Sequence, residues 1–264
     1  MTTSTKPTNP FEDPETAIKY MKMEESHYAK RYSIYPTMRG LLGDVRGKRI
    51  LDVGAGEGIF SRMLIDYGFA DEVLAVDGSA EMIMRAEGED IPYTSRDKDY
   101  TKKIHHLQCR AEKFPHYTDR GFDDATAILF FNYLQTRKDL RAVFRRVYDN
   151  LKKGARFIAF QNHFADVSFE GGKVGNVEYV YDGKNEDGAG LFTLKRRAKS
   201  GKTIELKLTD WRQEDYEEAS RRAGFSGIEW HSPIVSQEGM DTMPKEFWAD
   251  YIRAGLFRGF VARK

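Results

Sequence analysis

Apolar positions along the chain follow two alternating rhythms, and the alternation becomes regular at Arg49. Arg49 to Val53 is a short β-rich run that ends in glycines, and Phe60, Met63, Leu64 and Tyr67 then recur at helical spacing. Val73 to Asp77 reads as a second strand, followed by a helix over about 80–87 and a charged stretch, 88–103, without periodicity. His105 to Cys109 and Asp123 to Phe131 read as the third and fourth strands. Leu140, Val143, Phe144, Val147, Tyr148 and Leu151 share one helical face, Gly154 supplies a stop, and Phe157 to Phe160 is a fifth strand. Gln213 to Ala223 is helical again, and Ile228–Trp230 and Phe257–Val261 complete seven strands. Strands alternating with helices require right-handed crossovers, so the fold class is α/β with a mostly parallel sheet covered on both faces.

Two segments depart from that rhythm. Residues 168–211 hold strand-like runs separated by Gly, Asn and Asp clusters, with no helical pattern between them, and read as a β-rich insertion. Ahead of Arg49, residues 1–12 have the composition of a disordered tail, and 13–48 read as an N-terminal helical cap. Asp13-Pro14-Glu15 starts a helix that the proline at 36 is expected to end, and a second short helix covers about 37–42. Residues 49–264 then form the main domain.

Composition narrows the function classes. Forty-two Lys and Arg balance 41 Asp and Glu, so no global field favours nucleic acid or a membrane surface as partner. A single cysteine excludes a disulfide framework and a cysteine-built zinc site. The longest charge-free apolar stretch, Ala125 to Thr136, falls short of the roughly 20 residues of a membrane span. The first residues have no apolar core of a signal peptide, so a cytoplasmic protein is expected. His105 and His106 point to opposite faces of a strand and cannot chelate one ion, so no metal site is expected.

The chemistry concentrates in Leu51-Asp52-Val53-Gly54-Ala55-Gly56-Glu57-Gly58 and in Asp77, which closes the second strand. Glycines between strand and helix let the backbone pass close to a ligand. An acid at the end of the next strand can accept both hydroxyls of a ribose. A dinucleotide fingerprint would need a glycine where Ile59 stands, and the loop offers Glu57 and no cation to a phosphate. A cationic or zwitterionic nucleoside fits it better than a pyrophosphate.

The series LDVGAGEG, LAVDGSAEM, CRAEKFP and FDDATAILFFNYLQ resembles the ordered motifs of class I S-adenosylmethionine-dependent methyltransferases. The resemblance covers about residues 45–165, and the flanks YAKRYSIYPTMRGLLGDVRGKRILDVG and AGFSGIEWHSPIVSQEG are similar to the toxoflavin-synthase-like small-molecule methyltransferases. It implies a Rossmann-like fold with S-adenosylmethionine as cofactor and S-adenosylhomocysteine as product. On that resemblance Gly54, Ala55 and Gly56 pass beneath the methionine and ribose. Asp77 binds the ribose hydroxyls beside Gly78, and Met82 lies against the adenine. The backbone at Ala111 and Glu112 meets the adenine edge, Leu129 approaches the methionine, and Tyr28 reaches the cofactor carboxylate. Arg110 stands where the family commonly has an acid, so either Glu112 or backbone atoms must replace that acceptor.

Methyl transfer from a sulfonium asks for alignment and exclusion of water, and for a base only when the nucleophile is protonated. Ligands of open α/β sheets bind at the carboxyl ends of the strands. Candidates there are Asn132 and Tyr133 after the fourth strand, and Gln161, Asn162 and His163 after the fifth. His163 is the candidate catalytic base or a loop histidine bonded to backbone; Asn132, Tyr133 and Asn162 are candidate pocket residues. Tyr28, Tyr32 and Tyr35 share a helical face, either as core or as a cap over the cofactor, with Tyr32 toward the substrate. The insertion is the expected roof. The expected activity is methylation of nitrogen or oxygen on a small, heterocyclic, secondary-metabolite-type acceptor by a monomer or homodimer. The other readings are a cyclisation or rearrangement on the same fold, a non-catalytic cofactor-binding module and, disfavoured by Ile59, an NAD(P)-dependent oxidoreductase.

Overall fold

The computed structural model describes residues 28–88, 99–117, 121–164, 169–174, 177–197 and 203–264. The expected tail and most of the first cap helix lie outside the described residues. The main sheet contains β1 (Arg49–Val53), β2 (Glu72–Asp77), β3 (Ile104–Gln108), β4 (Phe122–Ile128) and β5 (Leu151–Asn162). After a smaller sheet, β6 (Gly171–Val174), β7 (Val177–Lys184), β8 (Gly190–Arg197) and β9 (Thr203–Asp210), it is completed by β10 (Ile228–His231) and β11 (Phe257–Arg263). The seven strands lie in the order β10-β11-β5-β4-β1-β2-β3. β1 to β5 pair in parallel, and β11 runs antiparallel to both β5 and β10. This is a Rossmann-like sheet with one reversed strand.

Period-two alternation sends the strand side chains to two cores. Leu51, Val53, Ala125, Ala127, Phe157 and Ala159 face α4 (Arg137–Asn150) and α5 (Gln213–Ala223), which contribute Leu140, Phe144, Val147, Tyr216 and Ala219. Ile50, Val73, Ala75, Ile158 and Phe160 face the other way, onto α1 (Tyr35–Leu42) and α2 (Ile59–Asp66) through Met38, Leu42, Phe60 and Leu64. α3 (Ala80–Ala86) follows β2.

The cap differs from the sequence expectation at Pro36. The chain stays helical from Tyr28 through Leu42 because a π-helical turn, Lys30–Ile34, precedes α1, with the Tyr35 amide donating to the Lys30 carbonyl. Proline has no N–H for the carbonyl of Tyr32, four residues back. That carbonyl accepts from the Ser236 amide instead, at 2.7 Å. Ser236 caps α6 (Gln237–Thr242), its hydroxyl accepting from the Gly239 amide, and α7 (Lys245–Ala254) follows. The break expected from the proline is thus replaced by a widened turn with a tertiary partner.

β6 to β9 form a four-stranded antiparallel sheet within the segment read as β-rich. Tyr179, Phe192, Ile204, Leu206 and Leu208 from this sheet are buried in the same core as Phe164, Trp248, Tyr251 and Phe257. Its β7–β8 turn is tied to the segment after β4. Arg137 donates from its backbone to the Asp187 carboxylate and from its guanidinium to the Asp187 carbonyl, each at 2.7 Å. Asn185 Nδ2 donates to the Gln135 carbonyl at 2.9 Å.

Candidate functional site

A cavity of about 360 Å³ opens at the carboxyl ends of β1, β2, β3 and β4. That volume is within the roughly 300–1,000 Å³ usual for small-molecule sites. Its floor is the turn after β1. The Gly54 and Ala55 amides both donate to the Val76 carbonyl, at 2.8 and 3.1 Å, which holds the loop against the end of β2. Gly54 has φ +68, and a Cβ there would meet Phe130 Cδ2 at 2.4 Å, so no larger residue fits. Gly56 has open space around it and is required for its conformation, φ +58.

Asp77 joins the loop to α3. Its Oδ2 accepts from the Gly56 amide at 2.9 Å and its Oδ1 from the Ser79 amide at 2.8 Å. Burial raises its proton affinity, and the amides of Ser79, Gly56 and Gly78 oppose that shift. A carboxylate has about four acceptor sites, so Asp77 keeps acceptor capacity for a ribose hydroxyl beside these three amides. The Ser79 hydroxyl accepts from the Met82 amide at 3.3 Å and starts α3, which brings Met82 to the cavity wall.

Beneath the glycine loop, the Asp52 carboxylate is 2% exposed and accepts from Ser61 Oγ at 2.6 Å and Thr126 Oγ1 at 2.8 Å. Burial pushes its pKa up to about 6 against the pull of both hydroxyls, and the neighbouring Asp77 charge adds to the rise. Across the cavity, Leu129 follows β4 with φ +50, an uncommon conformation for a branched side chain, while its amide donates to the Phe160 carbonyl at 2.7 Å. At the end of β3, Arg110 pairs with Glu112, and both line the cavity beside Ala111. Glu112 is thus the acid on this part of the cavity wall, paired with the Arg110 guanidinium.

Gly54, Ala55, Gly56, Asp77, Gly78, Met82, Ala111, Glu112, Leu129 and Tyr133 therefore surround one cavity. Tyr28, Tyr32, Asn132, Asn162 and His163 are not among its described lining residues. Tyr28 is 44% exposed and stacks on Tyr32 at 6.2 Å, while Tyr32 is buried in the cap. Asn162 and His163 are displaced by the length of β5. The strand runs to Asn162, which pairs with Phe257, and the His163 amide donates to the Leu256 carbonyl at 2.8 Å. His163 is buried at this sheet junction, not at the expected cavity mouth. The insertion lines none of the described cavity; it buttresses the Gln135–Arg137 segment at its rim.

Sequence reasoning missed Lys30, Asp52, Thr136 and Asp139 as lining residues. Thr136 and Asp139 carry a readable signal. The Thr136 hydroxyl accepts from the Asp139 amide at 3.1 Å and donates to its carboxylate at 2.7 Å, a reciprocal cap that starts α4. Tyr35 stacks on Phe60 at 5.8 Å and closes the cavity above the glycine loop. Among the described residues, no group of three or more His, Cys, Asp or Glu side chains is arranged to hold a metal, and no helix is long and apolar enough to cross a membrane.

Residues 27–229 match the methyltransferase domain family. An uncharacterized protein of Haemophilus influenzae is 26% identical over 128 residues, 48% of this chain and 47% of the relative, so the match spans about half the length of that relative. The S-adenosylmethionine-dependent methyltransferase of Mesorhizobium loti superposes with a TM-score of 0.58 at 23% identity, covering 87% of this chain and 96% of that one. S-adenosylmethionine-bound CalS10 of Micromonospora echinaspora, an amino pentose methyltransferase of calicheamicin biosynthesis, gives a TM-score of 0.52 at 16% identity, over 90% of each chain. With its family match over most of its length and the strand order and glycine loop described above, the chain belongs to the methyltransferase domain family and has the class I, S-adenosylmethionine-dependent fold.

Proposed function

We propose that the protein transfers the methyl group of S-adenosylmethionine to a nitrogen or oxygen of a small, flat acceptor. The observation that carries this reading is Asp77. Its two oxygens are fixed by amides from opposite sides, at the edge of a glycine loop without a cation. That arrangement accepts a ribose hydroxyl and offers nothing to a pyrophosphate.

The residues present fit the cofactor. Asp77 would hold the ribose, Met82 and Ala111 would flank the base, and Glu112 would accept at its edge. Gly54 to Gly56 would pass beneath the amino-acid tail. When bound, S-adenosylmethionine supplies a methyl group on a positively charged sulfur. The protein's part is alignment and dryness: the Tyr35–Phe60 pair covers the loop, and Phe130, Tyr133 and Leu134 supply an apolar wall against which a planar acceptor can lie. His163 lies outside that wall and is assigned no part in the transfer. CalS10, described as an amino pentose methyltransferase and similar in fold, supports a small-molecule acceptor.

Calorimetry with S-adenosylhomocysteine and with NAD tests the cofactor. Binding of the first and not the second is expected, and the reverse overturns the reading. Incubation with methyl-labelled S-adenosylmethionine and a cell extract, followed by mass spectrometry, identifies the acceptor. Label found solely on protein or nucleic acid would overturn the small-molecule assignment.

A further inference from the structure

Among the described residues a second cavity, of about 430 Å³, lies between α1 and α2. That volume, too, is within the roughly 300–1,000 Å³ usual for small-molecule sites. The two cavities share Phe60 and no other described lining residue. Tyr35 lines the first and its neighbour Pro36 the second, so the start of α1 and the Phe60 ring form the partition. An occupant of the second cavity is walled off from the glycine loop and is not the methyl acceptor.

The walls of this cavity are apolar and carry one charge. Pro36, Leu42, Val45, Met63 and Leu64 supply apolar surface, and Arg39 is the single charged residue of the described lining. The Arg39 guanidinium lies over the Tyr67 ring, 5.4 Å from its centroid, and among the described residues no carboxylate pairs with it. A guanidinium resting on a ring face keeps its fork of N–H donors for an oxyanion. Tyr67 also lines the cavity and is 53% exposed, so the cation stands where solvent meets the apolar walls.

Gly40 adds a separate observation. It lies inside α1, where glycine weakens a helix relative to alanine. A Cβ there would meet no atom within 4 Å, so neither a left-handed backbone nor a close neighbour calls for glycine. What the missing side chain leaves clear is the cavity that Gly40 lines.

We infer that this cavity is a second ligand site, for a small organic anion whose carboxylate or sulfonate pairs with Arg39 and whose apolar body lies against Val45, Met63 and Leu64. A nucleoside finds no carboxylate there to receive its hydroxyls, which separates the two sites by chemistry as well as by position.

The test uses two dyes with the same aromatic body, 8-anilinonaphthalene-1-sulfonate and the uncharged N-phenyl-1-naphthylamine. Fluorescence titrations are made on wild type, Arg39→Met and Gly40→Met, with circular dichroism to verify folding. Arg39 and Gly40 lie outside the first cavity, so loss of binding in these variants reports on the second. Arg39→Met should weaken the sulfonate by about fivefold or more and leave the uncharged dye within about twofold. Gly40→Met places a side chain in the cavity and should weaken both dyes by about tenfold or more. A sulfonate that binds either variant as it binds wild type overturns the assignment, and so does an equal loss of the two dyes in Arg39→Met. A wild-type protein that binds neither dye overturns it as well.

Discussion

The carbonyl of Tyr32 accepts a hydrogen bond from the amide of Ser236, 2.7 Å away, in place of the helical donor that Pro36 lacks. The contact ties the cap to a segment some two hundred residues later in the chain. One residue beyond the proline, Thr37 Oγ1 donates to the Ser33 carbonyl at 2.7 Å and accepts from the Ile234 amide at 2.9 Å. The cap is thus held to the 234–236 segment by polar bonds as well as by packing.

Thr37→Val keeps the shape and removes both of those bonds. Thr37 is 3% exposed, so water cannot replace them. A loss of about 1–3 kcal/mol is expected, measured by urea denaturation. The Ile234 amide should lose hydrogen-exchange protection, and unchanged protection there would contradict the account.

Asp77→Ala should weaken S-adenosylhomocysteine by about 1.5–3 kcal/mol, the usual worth of hydrogen bonds to a charged acceptor. The same change frees the Gly56 and Ser79 amides beside the cavity, where solvent can reach them. The thermal midpoint is therefore expected within about 5 °C of wild type. Calorimetry and a melting curve on one sample check both statements.

Asp52 makes stability depend on pH in a defined direction. Its pKa rises from 3.8 to about 6 on folding because burial disfavours the charge. Between those values the native protein holds a proton that the unfolded chain has released. Stability from this group is therefore present at low pH and is lost as pH rises through about 4 to 6. The shift corresponds to about 3 kcal/mol in order of magnitude. Asp52→Asn does not titrate, so its stability relative to wild type should rise by that amount between pH 4 and pH 7 in urea melts. A difference that stays flat with pH would show that the carboxylate is solvated.

Arg137→Ala should loosen the rim of the cavity. The guanidinium pairs with Asp215, whose side chain is 1% exposed, and also holds the Asp187 carbonyl. Asp215 keeps the Arg212 amide at 3.1 Å, so the cost falls below that of a fully orphaned buried charge, at about 2–3 kcal/mol. Faster hydrogen exchange at residues 185–189 should accompany it, and unchanged exchange would mean that the turn stands without this anchor.

The glycine loop, Asp77 and the succession of strands along the chain were legible in the sequence because each rests on local chemistry: a β-rich run, residues that permit positive φ, and an acid at a strand end. The misplacements have distant causes. Pro36 reads as a helix stop, but the bond that lets the helix continue comes from Ser236. Gly154 reads as the end of a helix followed by a loop. It lies inside β5, its amide donating to the Lys264 carbonyl at 3.0 Å, so pairing with the last strand lengthens β5 at the start. The same pairing carries β5 through Asn162 and leaves His163 directly after it, its amide bonded to the Leu256 carbonyl, so that neither lines the cavity. β6 begins with Gly171 and Gly172, which give no strand signal, and exists through its register with β7.

The core shared by the two sheets bears on how the protein folds. Phe164, Phe192 and Trp248, each at most 2% exposed, belong to one apolar cluster with Ile158 and Phe160 of the main sheet and Met38 of the cap. The four-stranded unit is consequently not a detachable module. Excising it would bare aromatic surface on the remainder and leave its own strands without an opposing layer. Cap, main sheet and insertion should melt in a single cooperative transition.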